Sequence, residues 1–200
     1  MLKKIGKFLF TNRSYTPLPF IIIMFLFINP TAISLIIGFA VMVCGEIIRI
    51  WAVSYAGSET RTTGGVGGST LVTQGPYAII RNPLYAGNVI IYTGVGIMSM
   101  ALYPWLIIIC LIYFTFQYYC IIINEEEYLE KTFPDSFSLY KKHINRIIPS
   151  FGKVPDEIKS DIKFNLKKGL ESEKRTLTSF LLIVILILVF YFLKIKLLTI

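Results

Sequence analysis

Gly75-Pro76-Tyr77-Ala78-Ile79-Ile80-Arg81-Asn82-Pro83-Leu84-Tyr85-Ala86-Gly87-Asn88 marks the point where a polar loop re-enters an apolar segment. Upstream, Gly57 to Gln74 is rich in Gly, Ser and Thr and reads as a mobile loop. Downstream, Pro83 opens an apolar run to about Leu102. Proline suits the first turn of a helix, where its missing N–H would have no partner in any case. Asn82 then stands at the N-cap. The stretch is therefore the mouth of a membrane helix, and it is crowded with Arg81, Asn82, Tyr77, Tyr85, Gly75 and Gly87. An ordinary capped helix start accounts for Asn82 and Pro83. It leaves Tyr77, Tyr85, Gly87 and Asn88 without a role. Gly87 and Gly94 would let another backbone or a cofactor approach closely.

Working outward, further apolar runs cover about Tyr15 to Ile28, Thr31 to Ala56, Trp105 to Ile123 and Ser179 to Leu193, the last reaching Ile200 if Lys194 and Lys196 snorkel. Asn29-Pro30 turns the chain between the first two, and Tyr103-Pro104-Trp105 turns it before the fourth. The runs are continuous, without the strict alternation of a membrane β-barrel. Hydrophobic residues make up 54% of the 200 and charged residues only 16%. Soluble domains average about 45–50% and roughly 25%. The expected fold is all-α: an integral membrane bundle of about five transmembrane helices with a cytoplasmic C-terminal helical segment. Residues 31–150 form its core. Residues 151–178 form an amphipathic segment, with a Lys-rich helix over Asp156 to Arg175 whose apolar positions are Ile158, Ile162, Phe164, Leu166 and Leu170. Residues 179–200 form an additional transmembrane helix. The whole is one domain.

The net charge of +8 has a topological cause. Lys3, Lys4, Lys7 and Arg13 precede the first run, and eleven Lys and Arg between Lys131 and Arg175 precede the last. The positive-inside rule places both segments in the cytoplasm. That accounts for the charge, so no nucleic-acid partner is expected. Cys44, Cys110 and Cys120 lie in apolar runs without metal spacing, and His143 is the only histidine. They read as small buried apolar groups, and no metal is expected.

Two polar constellations accompany the opening stretch. Glu46 and Arg49 are three apart, on one helix face, where they can pair or serve a site. Asn124-Glu125-Glu126-Glu127 ends the fourth run, with Arg146-Ile147-Ile148-Pro149 some twenty residues on. Arg146 is placed to fold back to the same mouth. Carboxylates at a helix C-terminus are unfavourable unless the helix continues into water.

In order and spacing, these blocks resemble the isoprenylcysteine carboxyl methyltransferase family, itself similar to phospholipid N-methyltransferases. The first block is Leu71-Val72-Thr73-Gln74-Gly75-Pro76-Tyr77 followed by Arg81 to Asn88. The second is Glu125-Glu126, then Leu129, Phe133, Tyr140 and Arg146 to Pro149. The resemblance covers about residues 45–150. Three positions depart from the family pattern: Asn82 replaces the usual His of R-H-P, Pro134 replaces a Gly, and Phe137 replaces a Tyr.

The resemblance implies S-adenosylmethionine bound at the cytoplasmic face of a bacterial membrane. Gln74, Gly75, Pro76, Tyr77, Arg81, Asn82, Pro83, Tyr85, Gly87, Asn88, Glu125 and Glu126 would hold it. Arg81, Glu126 and Arg146 would act on the acceptor, a lipophilic small molecule admitted from the bilayer. A carboxylate acceptor needs only desolvation and an orienting cation, Arg81 or Arg146. An amine must lose a proton, and Glu126 is a candidate base. The alternatives are an NADPH-dependent reductase of the sterol-reductase type, which shares an R-H-P-x-Y block, and a membrane scaffold. A scaffold would leave the intramembrane polar groups without a role.

Overall fold

The structure, a computed structural model, describes residues 2–57, 70–150 and 152–198. Among them every regular element is helical. The Gly-rich loop expected over Gly57 to Gln74 falls mostly, at 58–69, outside the described residues.

Helices α1 (Leu2–Asn12) and α2 (Leu18–Leu26) replace the single first span expected over Tyr15 to Ile28. Pro19 lies in the first turn of α2, where it is tolerated. Lys3 pairs with Glu127 at 2.8 Å at one end of the bundle. Asn29 N–H donates to the Ser99 carbonyl at 2.9 Å at the other end. Residues 2–29 thus traverse the bundle as a broken pass.

α3 (Ala32–Ala56) starts at a reciprocal capping box: Thr31 Oγ1 accepts from Ser34 N–H at 3.1 Å, and Ser34 Oγ accepts from Thr31 N–H at 2.9 Å. It ends at Gly57, whose φ of +68° suits glycine. α4 (Pro83–Ser99) packs antiparallel to it through facing glycines. A Cβ on Gly38 would come within 2.5 Å of the Gly94 carbonyl, and one on Gly45 within 2.8 Å of the Gly87 carbonyl. The pairs recur seven residues apart on each helix, two turns, so one face of each helix carries the contact. Close backbone approach is therefore what Gly87 and Gly94 provide.

α5 (Trp105–Thr132) is a single helix through the Glu cluster. It continues nine residues past the apolar run that ends at Ile123, until Phe133-Pro134 breaks it, and α6 (Pro134–His143) follows. Pro134 sits at a helix start, so the position that departs from the family's Gly is a boundary. α7 (Leu166–Leu198) is one helix of 33 residues. It replaces both the helix expected over Asp156 to Arg175 and the separate span over Ser179 to Leu193. Phe164, Leu166 and Leu170, apolar positions of the expected amphipathic helix, are exposed, and the face buried in the protein runs through Gly169, Glu173, Val184 and Ile187.

Among the described residues, three helices are long and apolar enough to cross a membrane: Ala32–Ala56, Trp105–Thr132 and Leu166–Leu197. That is fewer than the five expected. α2 has 9 residues and α4 has 17. At 1.5 Å per residue these reach about 14 and 26 Å, short of the ~30 Å of hydrocarbon.

The main core joins Met24, Leu35, Met42, Ile91, Met98 and Ile187. A second cluster packs Leu9 against Phe114, Tyr118 and Ile121. A third lies beyond the helix ends, where Leu71, Phe137, Tyr140, Ile144 and Val154 form a cap. Cys120 is buried and Cys110 partly so, whereas Cys44, expected to be buried, lies exposed on α3 among outward Phe39 and Ile47. An apolar outward face suits lipid contact.

Candidate active site

Four helix ends meet where the cap joins the bundle: the C-terminal parts of α3 and α5 and the N-terminal parts of α4 and α7. Glu126, on α5, is buried there. Arg81 donates from Nε and Nη2 to Glu126 Oε1 at 3.1 and 2.8 Å. Arg146 donates from Nε to both Glu126 oxygens at 3.1 Å and from Nη2 to Oε2. Arg81 of the first block, 45 residues before Glu126, and Arg146 of the second, 20 residues after it, converge on one carboxylate.

The segment carrying Arg146 is held down by the loop before α4. Arg81 N–H donates to the Asn145 carbonyl at 2.9 Å, and Ser150 N–H to the Ile79 carbonyl at 2.8 Å. Arg81 Nη1 also donates to the Ile144 carbonyl at 2.5 Å, satisfying backbone beyond the end of α6. Asn82 occupies the N-cap of α4, as expected, but its side chain makes no cap hydrogen bond. Its Nδ2 donates instead to the Arg146 carbonyl at 3.1 Å. Asn82 thus works as a neutral donor pinning Arg146, a task that needs no cation. Phe137 is buried in the cap beside Tyr140, where a hydroxyl would need a partner.

Glu125 points elsewhere. Tyr85 Oη donates to its Oε1 at 2.6 Å. The Tyr85 ring stacks on Tyr118 at 4.7 Å, and Tyr118 Oη donates to Tyr92 Oη at 3.3 Å. The Tyr119 ring lies 5.4 Å from the Arg146 guanidinium, a cation–π distance.

Among the other residues singled out, Gln74 turns to the Ser160 carbonyl, and Thr73 Oγ1 donates to the Ile158 carbonyl at 2.9 Å. These bonds tie the loop to the segment before α7. Gly75 has φ +60°, with the Tyr55 ring where a side chain would stand. Pro76 and Pro83 are buried. Tyr77 gives its carbonyl to Tyr140 Oη at 2.6 Å. Burial pushes the Tyr77 and Tyr140 phenols up, so both stay neutral. The hydrogen bonds to Glu126 push Arg146 further up, so it stays charged. Gly87 lies against Arg49 and the Gly45 carbonyl, inside the helix interface.

Asn88 faces Arg49, whose Nη1 donates to its Oδ1. Arg49 stands 3.9 Å from Glu46, the pairing expected from spacing. Its main partner is one the sequence reading missed: Glu173 on α7, fully buried, accepts from Nη2 at 2.8 and 2.9 Å. Gly169, one turn before it, packs on Ser54. A Gly and a Glu four apart, in phase with Val184 and Ile187, were the available signal.

A sequence model of the phospholipid methyltransferase family matches residues 33–136, which takes in both blocks through Glu126 and stops before Arg146 and α7. The cobalt-zinc-cadmium resistance protein CzcN of Cupriavidus metallidurans is 29% identical over 101 residues, covering 50% of this chain and 42% of that protein. The nickel-cobalt-cadmium resistance protein NccN of Alcaligenes xylosoxydans xylosoxydans is 28% identical over 119 residues, covering 60% and 51%. The match thus spans about half the length of these curated relatives. No solved structure matches the chain. With half of its residues matched, across the segment that builds the Arg81–Glu126 pair, the chain belongs to the phospholipid methyltransferase family.

Proposed function

We propose that this protein is an S-adenosylmethionine-dependent integral-membrane methyltransferase acting on the amine of a lipid at the cytoplasmic face. The observation that carries the reading is the convergence of Arg81 and Arg146 on Glu126. Two distant sequence blocks build one charged site at the bundle end, where a lipid headgroup and a water-soluble donor can meet. Five passes suit that site: the broken pass of α1 and α2, then α3, α4, α5 and α7. α4, though short, lies along α3 with its polar end at the mouth.

The donor set fits S-adenosylmethionine. Guanidiniums suit its carboxylate, and carboxylates suit its ammonium and ribose hydroxyls. Arg146 keeps 32% of its side chain exposed and is the cation within reach of a ligand. Arg81, Glu126 and the backbone of residues 74–77 complete the set. When bound, S-adenosylmethionine supplies an electrophilic methyl group.

An amine acceptor is favoured over a carboxylate for a charge reason. Arg146, the guanidinium within reach of a ligand, is taken by the carboxylate of the methyl donor, and Arg81 is buried against Glu126. Glu125 would repel a carboxylate and attract an ammonium. The protein's own work is to exclude water at the apolar mouth, to position the headgroup, and to take its proton.

The test is calorimetric titration of the detergent-purified protein with S-adenosylhomocysteine, with NADPH as comparison. Saturable binding of the first alone is the expected result. Binding of NADPH alone would move the protein to the reductases. Methyl transfer from labelled donor to phosphatidylethanolamine, and not to a farnesylcysteine, then checks the acceptor.

A further inference from the structure

We propose that the two adjacent glutamates divide the work, and that Glu125, hydrogen-bonded by Tyr85, accepts the proton of the acceptor amine. This rests on the methyltransferase reading above. Consecutive residues of an α-helix leave it about 100° apart. The carboxylates of Glu125 and Glu126 therefore face different surroundings despite their adjacency. Glu126 accepts from four N–H groups of two arginines, Nε and Nη2 of each. A proton on it would have to displace those donors, so it is held as a carboxylate and is a poor base. Glu126 fixes the two cations.

Glu125 takes the Tyr85 hydroxyl at 2.6 Å. A carboxylate has about four acceptor positions, so room remains for an ammonium N–H. Both residues are half-buried, within reach of a ligand. Beside them stands an aromatic wall, Tyr85 stacked on Tyr118 at 4.7 Å with Tyr92 beyond. Ring faces beside a carboxylate attract a cation and disfavour an anion. The charged and titratable groups that act on Glu125 are Tyr85 on α4, Tyr77 in the loop before it, Arg13 beyond α1 and Glu126 on its own helix.

The step balances within the proposed reaction. An N–H bond of the headgroup ammonium breaks and an O–H bond forms on Glu125. The nitrogen lone pair so released forms the C–N bond, while the electron pair of the breaking C–S bond returns to sulfur. Glu125 then loses its proton to water, and one proton is released per methyl transferred.

The experiment uses the full-length protein in nanodiscs containing phosphatidylethanolamine, with S-adenosylhomocysteine binding and methyl transfer measured across pH. Glu125→Gln is expected to keep S-adenosylhomocysteine affinity and to lose about 10²–10⁴-fold in turnover at neutral pH. Its rate should then climb about tenfold per pH unit as the lipid amine deprotonates unaided. Glu126→Gln is expected to lose binding. Tyr85→Phe keeps the stack and removes the hydroxyl. It should retain binding and move the acid limb of the rate profile to higher pH, because the carboxylate loses a donor that favours its charged form. It also serves as the test if Glu125→Gln does not fold. Loss of S-adenosylhomocysteine binding in folded Glu125→Gln would overturn the proposal by making Glu125 a holder of the methyl donor. Wild-type turnover in Glu125→Gln, or an unshifted acid limb in Tyr85→Phe, would overturn it while leaving the methyltransferase reading intact. A wild-type protein that binds no S-adenosylhomocysteine, or methylates no amine, would overturn both.

Discussion

Glu126 satisfies both of its oxygens with guanidinium N–H groups, and its neighbours depend on that arrangement. Arg81→Ala and Glu126→Ala should each abolish S-adenosylhomocysteine binding in calorimetry while leaving a folded protein. The double substitution should be less damaging than the sum of the singles, with a coupling of about 1–3 kcal/mol in thermal unfolding, because the residues share one network. Asn82 offers a finer test. Its amide pins the Arg146 carbonyl at 3.1 Å. Asn82→Ala should cost about 0.5–1.5 kcal/mol of stability, the net worth of one hydrogen bond. It should also weaken S-adenosylhomocysteine binding, since Arg146 is no longer held. Asn82→His, which restores the commoner residue of the family resemblance and keeps an N–H donor, should retain binding.

At the scale of the element, α7 is tied to α3 by a buried ion pair. Arg49 is 9% exposed and Glu173 is fully buried. Removing one partner of such a pair strands the other, so Glu173→Ala should destabilise by about 3–5 kcal/mol. Replacing the whole cluster, as Arg49→Met with Glu173→Leu and Glu46→Leu, should cost much less, because no buried charge then remains. Thermal unfolding in detergent distinguishes the two outcomes. The α3–α4 interface makes a steric prediction. Gly45→Val would drive side-chain carbons into the Gly87 carbonyl, which is backbone and cannot swing aside. The helices must separate, at about 1–3 kcal/mol. A Cβ on Gly96 would meet first the Ile107 side chain, which can swing aside, so Gly96→Ala should be milder.

For the whole molecule, the polar cap, the N-terminal lysines and the mouth of α4 lie at one end, and Ser99, Asn29 and Lys194 at the other. With the basic residues gathered at the first end, that end should face the cytoplasm. Single cysteines introduced at Lys153 and Tyr103 into a protein lacking its own three test this. A membrane-impermeant thiol reagent should label Tyr103→Cys in intact cells and Lys153→Cys only after permeabilisation. The reverse pattern would place the site outside.

The sequence by itself determined the helical class, most of the breaks and the ingredients of the site. Apolar runs of the right length have no other stable form in lipid. Asn29-Pro30, Pro83 and Gly57 act within a few residues of themselves, so their boundaries were readable. The broken first pass carried a local mark too, Pro17 and Pro19 at the start of α2, whereas the unbroken α7 was not readable, because tertiary packing overrode the local pattern. Gly169 and Glu173 are buried only because Ser54 and Arg49 lie opposite. Motif spacing brought Arg81, Glu126 and Arg146 to one neighbourhood, but only the tertiary structure decided which glutamate they occupy. It also placed Glu173 on Arg49, 124 residues away in the chain. The physical reason is the same in each case. Periodicity and caps are local, whereas a buried charge must be neutralised by whatever group the fold brings within hydrogen-bonding distance.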